Sequence, residues 1–206
     1  MHTIHHLPFK EALALTVKFL EDRAGEISFQ ENNLVKVIAI DGPAGAGKTT
    51  LAQHLSEILN GAPVVHMDDL YLGWEDALTA SLTKTLRDHI LTPISLGKRG
   101  SYRRWDWHKS QLAEVIEIPR HPYLILEGVG ASQRVVRAFS TALIWIDIST
   151  ETGLKRTIAR DKVLVEDIDK FQEEMKNWQA REILHFAEEN TFDAAQLRFN
   201  GDLFSQ

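Results

Sequence analysis

The residues best suited to chemistry form one run: Gly42, Pro43, Ala44, Gly45, Ala46, Gly47, Lys48 and Thr49, with Thr50 next. The spacing is glycine, four residues, then glycine, lysine and threonine, and it suits one task. Glycines let the backbone curl until successive N–H groups converge on one point. The helix expected to follow adds the positive end of its dipole. The result is a nest for a polyphosphate. The Lys48 ammonium can reach β- and γ-phosphates, and the Thr49 hydroxyl can ligate Mg²⁺. The first ligand implied is therefore a nucleoside triphosphate, with ATP and Mg²⁺ the expected pair.

Other reactive groups stand at recurring places. His66-Met67-Asp68-Asp69-Leu70-Tyr71 contains an acidic pair, and Leu124-Ile125-Leu126-Glu127-Gly128 ends an apolar run on a carboxylate. Arg156 and Arg160 are four apart, so on a helix they share one face, with Leu154 and Ile158 on another. Guanidinium groups on such a face can offset charge on a transferring phosphoryl group. A carboxylate near a metal and a γ-phosphate can position a hydroxyl for in-line attack. Strand alternation sends Asp68 and Asp69 to opposite sides, so spacing alone leaves open which of them faces the reaction. The segment Tyr102-Arg103-Arg104-Trp105-Asp106-Trp107-His108 mixes aromatic and charged groups. It suits the wall of a small polar acceptor's pocket.

The elements that must hold these residues read as alternating strands and helices. Phe9, Leu13, Val17 and Leu20 recur at helical spacing between Pro8 and Gly25, predicting an amphipathic helix that either covers the body or mediates dimerisation. Residues 35–40 are apolar and β-branched and predict a buried strand. Helix follows over 48–59, with Asn60-Gly61 as its cap. Strands are expected over 63–67, 123–126, 142–146 and 196–199. Helices are expected over 75–90, 151–161 and 169–188, and an irregular stretch over 92–110. The pattern implies an α/β fold, a mostly parallel sheet with helices on both faces. Its ligands should lie beyond the C-terminal ends of the strands, where the reactive groups gather. Phe171, Met175, Trp178 and Phe186 read as core packing. His2, His5 and His6 read as incidental residues of a mobile terminus, and His54 and His185 as surface or packing residues.

These motifs, in this order, resemble the uridine kinase branch of the P-loop kinases, which includes phosphoribulokinase and the bacterial type of pantothenate kinase. The resemblance runs from about residue 35 to residue 200. It implies the three-layer P-loop NTPase fold and transfer of the ATP γ-phosphoryl group to a hydroxyl. It implies Asp68 as the carboxylate that takes the acceptor's proton, Tyr71 as an aromatic lining the acceptor pocket, and Glu127 at the end of the Walker B strand. Arg156 and Arg160 would be lid arginines over the triphosphate. Catalysis would rest on Asp68, Lys48 and Arg160. The metal would be held by Thr49, Glu127 and Asp68. The acceptor would meet Asp69, Tyr71, Arg103, Arg104, Trp105, Asp106 and His108. The chain departs from the branch where Gly73-Trp74-Glu75-Asp76 replaces a Phe-Asp-His-Pro stretch, and Trp105-Asp106 only loosely matches a Tyr-Asp pair. The acceptor is therefore left open. The expected organisation is a single domain over 1–206, with an N-terminal helical extension over 1–30, an acceptor-side loop over 92–110 and a lid over 156–168.

Composition limits the alternatives. The 206 residues carry 23 basic and 29 acidic side chains, a net charge of −6, so no whole-domain footprint for nucleic acid exists. Residues 98–109 invert the sign: Lys98, Arg99, Arg103, Arg104 and Lys109 face only Asp106. An acidic protein with one basic loop is better suited to a small anion than to a polymer. No Asn-Lys-x-Asp motif marks guanine recognition, and the chain is short for a motor or an AAA-type machine. No apolar run approaches the ~20 residues of a membrane span, and no signal peptide is visible. The absence of cysteine fits a reducing cytoplasm. The expected partner is a small-molecule hydroxyl acceptor, without nucleic acid or membrane, for a monomer or homodimer. Two rival readings remain: a nucleoside-monophosphate kinase-like enzyme, which the basic loop would suit, and an ATP-hydrolysing regulator that acts through a protein partner.

Overall fold

A strand of Val37, Ile38, Ala39 and Ile40 has no polar face, so it is stable only when covered on both sides. The computed structural model describes residues 3–27, 35–162 and 167–205, and in it that condition is met. Its elements in chain order are α1 (Phe9–Ile27), β1 (Lys36–Asp41), α2 (Lys48–Ile58), β2 (Val64–His66), α3 (Ala80–Thr85), α4 (Thr92–Ser95), β3 (Ser101–Asp106), β4 (Gln111–Glu117), β5 (Tyr123–Glu127), α5 (Arg134–Arg137), β6 (Ser140–Asp147), α6 (Thr150–Asp161), α7 (Ile168–Glu189), α8 (Thr191–Ala194) and β7 (Leu197–Asn200). Five strands pair in parallel in the order β2-β5-β1-β6-β7, with β1 central. Alternation along β1 divides the core. Val37 and Ala39 pack with residues of α3, α4, α7 and the turn joining α3 to α4. Ile38 and Ile40 pack with Ala12 and Leu20 of α1 and with Leu51, Ala52 and Leu55 of α2. Each such leucine removed from water contributes about 1.5–3 kcal/mol. This is the three-layer P-loop NTPase arrangement.

Several expectations are corrected. The helix expected over 75–90 starts at Ala80, where Thr79 accepts from the Ser81 N–H at 3.3 Å. Its next turn widens over Leu86–Leu91 into a π-helical turn. Pro93, at the start of α4, has no N–H to continue a regular ladder there. The stretch 92–110 is not irregular: it holds α4 and then β3, which pairs antiparallel with β4 as a separate hairpin. Charged side chains on both faces of that hairpin hide its alternation. Helix α1 runs through Gly25, a cost of only about 1 kcal/mol. His5 belongs to an ordered segment. Its N–H donates to Arg198 O at 2.7 Å and its carbonyl accepts from Asn200 N at 3.1 Å, which adds a bridge beside β7. His2, and part of the expected lid over 163–166, lie outside the described residues.

Candidate active site

Gly42 follows β1 directly, and the backbone there has little room. A Cβ on Gly42 would lie 2.2 Å from Ile146 O, and one on Gly45 would lie 2.5 Å from Gly153 O. Both residues have positive φ, +139° and +79°. Only glycine meets both demands. Around the turn, Asp41 is fully buried. Its carboxylate accepts from the N–H groups of Gly42, Gly130 and Ser132 and from the Ser132 hydroxyl, at 2.8–3.0 Å. This clamp ties the loop after β1 to the loop after β5. Lys48 folds back and donates to the carbonyls of Gly42 and Pro43, both at 2.8 Å. The amides of Lys48, Thr49 and Thr50 open α2, ahead of its first internal acceptor.

The loop forms one side of a cavity of about 880 Å³. Ala44, Gly45, Gly47, Lys48, Thr49, Thr50, Asp68, Glu127, Arg156 and Arg160 all line it. The sequence therefore scatters these groups over four segments, and the sheet gathers them beyond the C-terminal ends of β1, β2, β5 and β6. Thr49 Oγ1 lies 3.2 and 3.3 Å from the two Glu127 oxygens. Glu127 is also bonded to His66, and this partner holds the imidazole pKa above its ordinary value. Asp68 stands on a single 3₁₀ turn after β2, so strand alternation does not govern it. It is open to the cavity yet closely surrounded by protein. That desolvation, with repulsion from Glu127, pushes its carboxyl above the usual range, while Lys48, Arg160 and His66 oppose the shift. Arg156 donates to Gly201 O at 3.0 Å, and Arg160 pairs with Asp161 at 2.6 Å.

Mg²⁺ can be tested against these groups. Among the described residues no three His, Asp or Glu side chains form a metal cluster. Thr49, Glu127 and Asp68 nevertheless offer only oxygen donors, and Glu127 raises the cost of ionising Asp68. A hard divalent cation, completed by water and phosphate oxygens, relieves that repulsion, so the set fits.

The opposite side of the cavity is aromatic. Trp74, Trp107, Trp178, Tyr71, Phe171 and Met175 line it, together with His108. The Trp74 and Trp107 rings are 4.9 Å apart, and those of Trp74 and Trp178 are 5.5 Å apart. Trp107 Nε1 donates to Asp68 O at 3.0 Å, which fastens the hairpin's turn to the acidic turn. Arg181 binds the carbonyls of Trp74 and Ala77 and thereby pins the 73–77 segment to α7.

The structure does not bring every expected residue here. Tyr71 contributes ring surface, but the residue is 1% exposed and its hydroxyl donates to Val129 O at 2.6 Å, so the hydroxyl is spent on packing. Asp69 faces Tyr102 instead, at 3.5 Å. Arg103 binds Ala113 O, and Arg104 pairs with Glu114 across the hairpin at 2.8 Å. Trp105 lies off the cavity, with Gly73 among its neighbours, and Asp106 caps the turn amides of His108 and Lys109. These five side chains, from Asp69 to Asp106, lie outside the cavity lining. Conversely, Trp74 and Trp178 are not among the expected contacts, and Trp107 is expected only as part of the aromatic segment 102–108. Glu182 is not among them either, and its Oε2 accepts from the Ala44 N–H of the phosphate loop at 3.1 Å. Its position inside an α-helix gave no signal. Trp178 and Phe171 were signalled only as an apolar stripe.

A parallel sheet with a glycine-lysine-threonine loop between its central strand and the next helix defines a P-loop nucleotide-binding protein. By comparison with family models, the chain belongs to the AAA domain family, whose model matches residues 38–177. Among solved structures it is similar to one described as a possible uridine kinase from Bacillus stearothermophilus. The two share 18% identity at a TM-score of 0.55, covering 88% of this chain and 99% of that one. It is also similar to one provisionally described as a fructose transport system kinase from Silicibacter sp. TM1040, at 18% identity and a TM-score of 0.62, covering 91% and 98%. The YGR205w protein matches at 15% identity and a TM-score of 0.57, covering 94% and 95%. At these identities the shared property is the fold, and the expected resemblance to P-loop kinases holds at that level. No curated protein matches the chain. Among the described residues no helix is long and apolar enough to cross a membrane.

Proposed function

We propose that the protein is a kinase that transfers the γ-phosphoryl group of ATP to a hydroxyl of a small metabolite, in the cytoplasm. The observation that carries this reading is a single cavity with two unlike halves. A polyphosphate nest with Lys48, Arg156 and Arg160 forms one half, an aromatic wall the other, and Asp68 lies on the lining they share. A nucleotide hydrolase has no use for the second half.

In this reading the loop amides and Lys48 hold the β- and γ-phosphates, and Lys48 exchanges the Gly42 and Pro43 carbonyls for phosphate oxygens. Thr49, Glu127 and Asp68 would hold Mg²⁺, which when bound would neutralise charge on the phosphate oxygens. Asp68 orients the acceptor hydroxyl and accepts its proton as the acceptor O–P bond forms and the γ-phosphorus bond to the β–γ bridging oxygen breaks, releasing ADP. Arg160, and Arg156 beside it, stabilise charge on the transferring group. The tryptophans hold the acceptor's apolar surface and keep water from the γ-phosphate. Arg104 is paired within the hairpin and Arg103 is bonded to a carbonyl there, so a phosphate-bearing acceptor finds neither on the cavity wall. That weighs against the monophosphate-kinase alternative.

The test is acceptor-stimulated ATP turnover across a panel of hydroxyl metabolites, with Asp68→Asn alongside. A kinase shows turnover that rises at least tenfold with one acceptor. Asp68→Asn should keep nucleotide affinity and lose 10²–10⁴-fold in rate, the usual worth of a general base. Turnover that responds only to a protein partner, or an unimpaired Asp68→Asn, would overturn the reading.

A further inference from the structure

The basic run over 98–109 does not serve the cavity described above, but part of it lines another. At the other end of the sheet, where β1, β2 and β5 begin, lies a cavity of about 530 Å³ lined by Val35, Pro63, Ile94, Ile118, Tyr123 and Leu124. This volume is within the ~300–1,000 Å³ of small-molecule sites. Lys98, Arg99, Arg120 and His121 also line it, and no acidic residue does. Three formal positive charges converge there in a protein of net charge −6.

The partners of these groups show how available they are. Among the described residues Lys98 and Arg120 have no ion pair. Arg99 meets Glu117 at 3.1 Å, but both side chains are more than half exposed, and such pairs contribute only about 0–1 kcal/mol. His121 Nδ1 lies 3.1 Å from Tyr123 N and 3.2 Å from Tyr123 O, so the Tyr123 main chain holds the ring at the cavity. Pro63, Pro119 and Pro122 make the wall stiff, and two of them also fasten strands. Lys36 N donates to Pro122 O at 2.8 Å and Ile125 N to Pro63 O at 2.9 Å. The floor is apolar, with Ile94, Ile118 and Leu124 buried.

Two arginines, a lysine and an imidazole above an apolar floor match one ligand class. We propose that this cavity is a second binding site, taking a phosphomonoester dianion that carries an apolar body. Arginine forks suit phosphate oxygens, and the body covers Ile94, Ile118 and Tyr123. The site does not depend on the kinase reading, since it shares no residue with the nucleotide cavity.

Isothermal titration of the full chain tests it, with phenyl phosphate, ribose 5-phosphate and inorganic phosphate as probes at low ionic strength. Phenyl phosphate should bind about tenfold more tightly than the other two, and more weakly as salt is added. Lys48→Ala should leave that affinity unchanged, which separates this site from the phosphate loop. Lys98→Glu with Arg120→Glu should weaken it at least tenfold, and the single change Arg120→Gln at least threefold. Amide shifts of ¹⁵N-labelled protein report the site without substitution: Ile94 and Tyr123 should move, and Gly45 should not. Three results would each overturn the proposal: no binding by any probe, affinity lost in Lys48→Ala but kept in the double variant, or equal affinity for phenyl phosphate and inorganic phosphate. Ribose 5-phosphate binding as tightly as phenyl phosphate would refute the apolar-body recognition.

Discussion

Glu182 offers the sharpest test of the site's electrostatics. It is 2% exposed and lies against the phosphate loop through Ala44. Burial pushes its carboxyl from 4.5 up to about 7, and Asp41 adds to the shift, while Lys48, the Ala44 N–H and Trp178 oppose it. A pKa raised by folding means that the folded protein holds the proton more tightly than the unfolded chain. Below pH 4.5 both states are protonated and nothing changes. Between 4.5 and 7 the unfolded chain has released the proton and the fold still binds it, so stability falls as pH rises. Above 7 the full penalty applies. At 1.36 kcal/mol per pH unit, a shift of about 2.5 units corresponds to roughly 3 kcal/mol, a large fraction of a typical 5–15 kcal/mol. The assay is urea unfolding of the wild type and of Glu182→Gln, isosteric and neutral at every pH, from pH 4.5 to 8. The wild type should lose about 3 kcal/mol relative to the variant across that window. A pH-independent difference, or one of opposite slope, would refute the assignment. A polyphosphate on the same loop adds negative charge near Glu182. ATP affinity should therefore fall between pH 6 and 8 in the wild type more than in the variant.

Lys48→Ala removes two charge-assisted contacts and the cation facing the phosphates. Equilibrium dialysis should show ATP affinity falling about 10–100-fold, with transfer falling further. Gly42→Ala forces a Cβ against the Ile146 carbonyl at a positive φ. It should cost at least about 1–3 kcal/mol, measured by thermal unfolding without ligand. Trp107→Ala removes a ring from the aromatic wall and the contact to Asp68 O. The acceptor's KM should rise at least tenfold while ATP affinity holds. Chelation of Mg²⁺ should abolish turnover and restore it on readdition, and ATP turnover unchanged in excess chelator would sink the oxygen-donor metal assignment.

The legible parts of the fold were those where one physical demand dominates. The β-branched run before Gly42 can only be a doubly covered strand, and the glycine spacing can only serve a close approach. The β3-β4 hairpin was illegible because Arg104 pairs with Glu114 across it and Arg103 bonds the Ala113 carbonyl, and such pairing leaves no apolar period in the sequence. Glu182 was invisible for a related reason. A glutamate within a helix reads as solvated, and only the tertiary position of α7 carries it to Ala44. Trp178 read as core because it is core, and one side of the same packed cluster faces the cavity. The basic run was read as a unit, but the chain turns within it. Lys98 and Arg99 go to one end of the sheet, and Arg103 and Arg104 stay on the hairpin.

The β3-β4 hairpin forms no ladder with the main sheet, yet Trp107 and His108 at its turn reach the cavity. On the proposed kinase reading, nucleotide recognition is thereby built into the scaffold that folds the protein, whereas part of acceptor recognition sits on a hairpin outside the main ladder, joined to the acidic turn through Trp107 and Asp68 O. On that reading, a descendant of this chain could change its acceptor by redrawing the hairpin turn while the phosphate loop stays as it is.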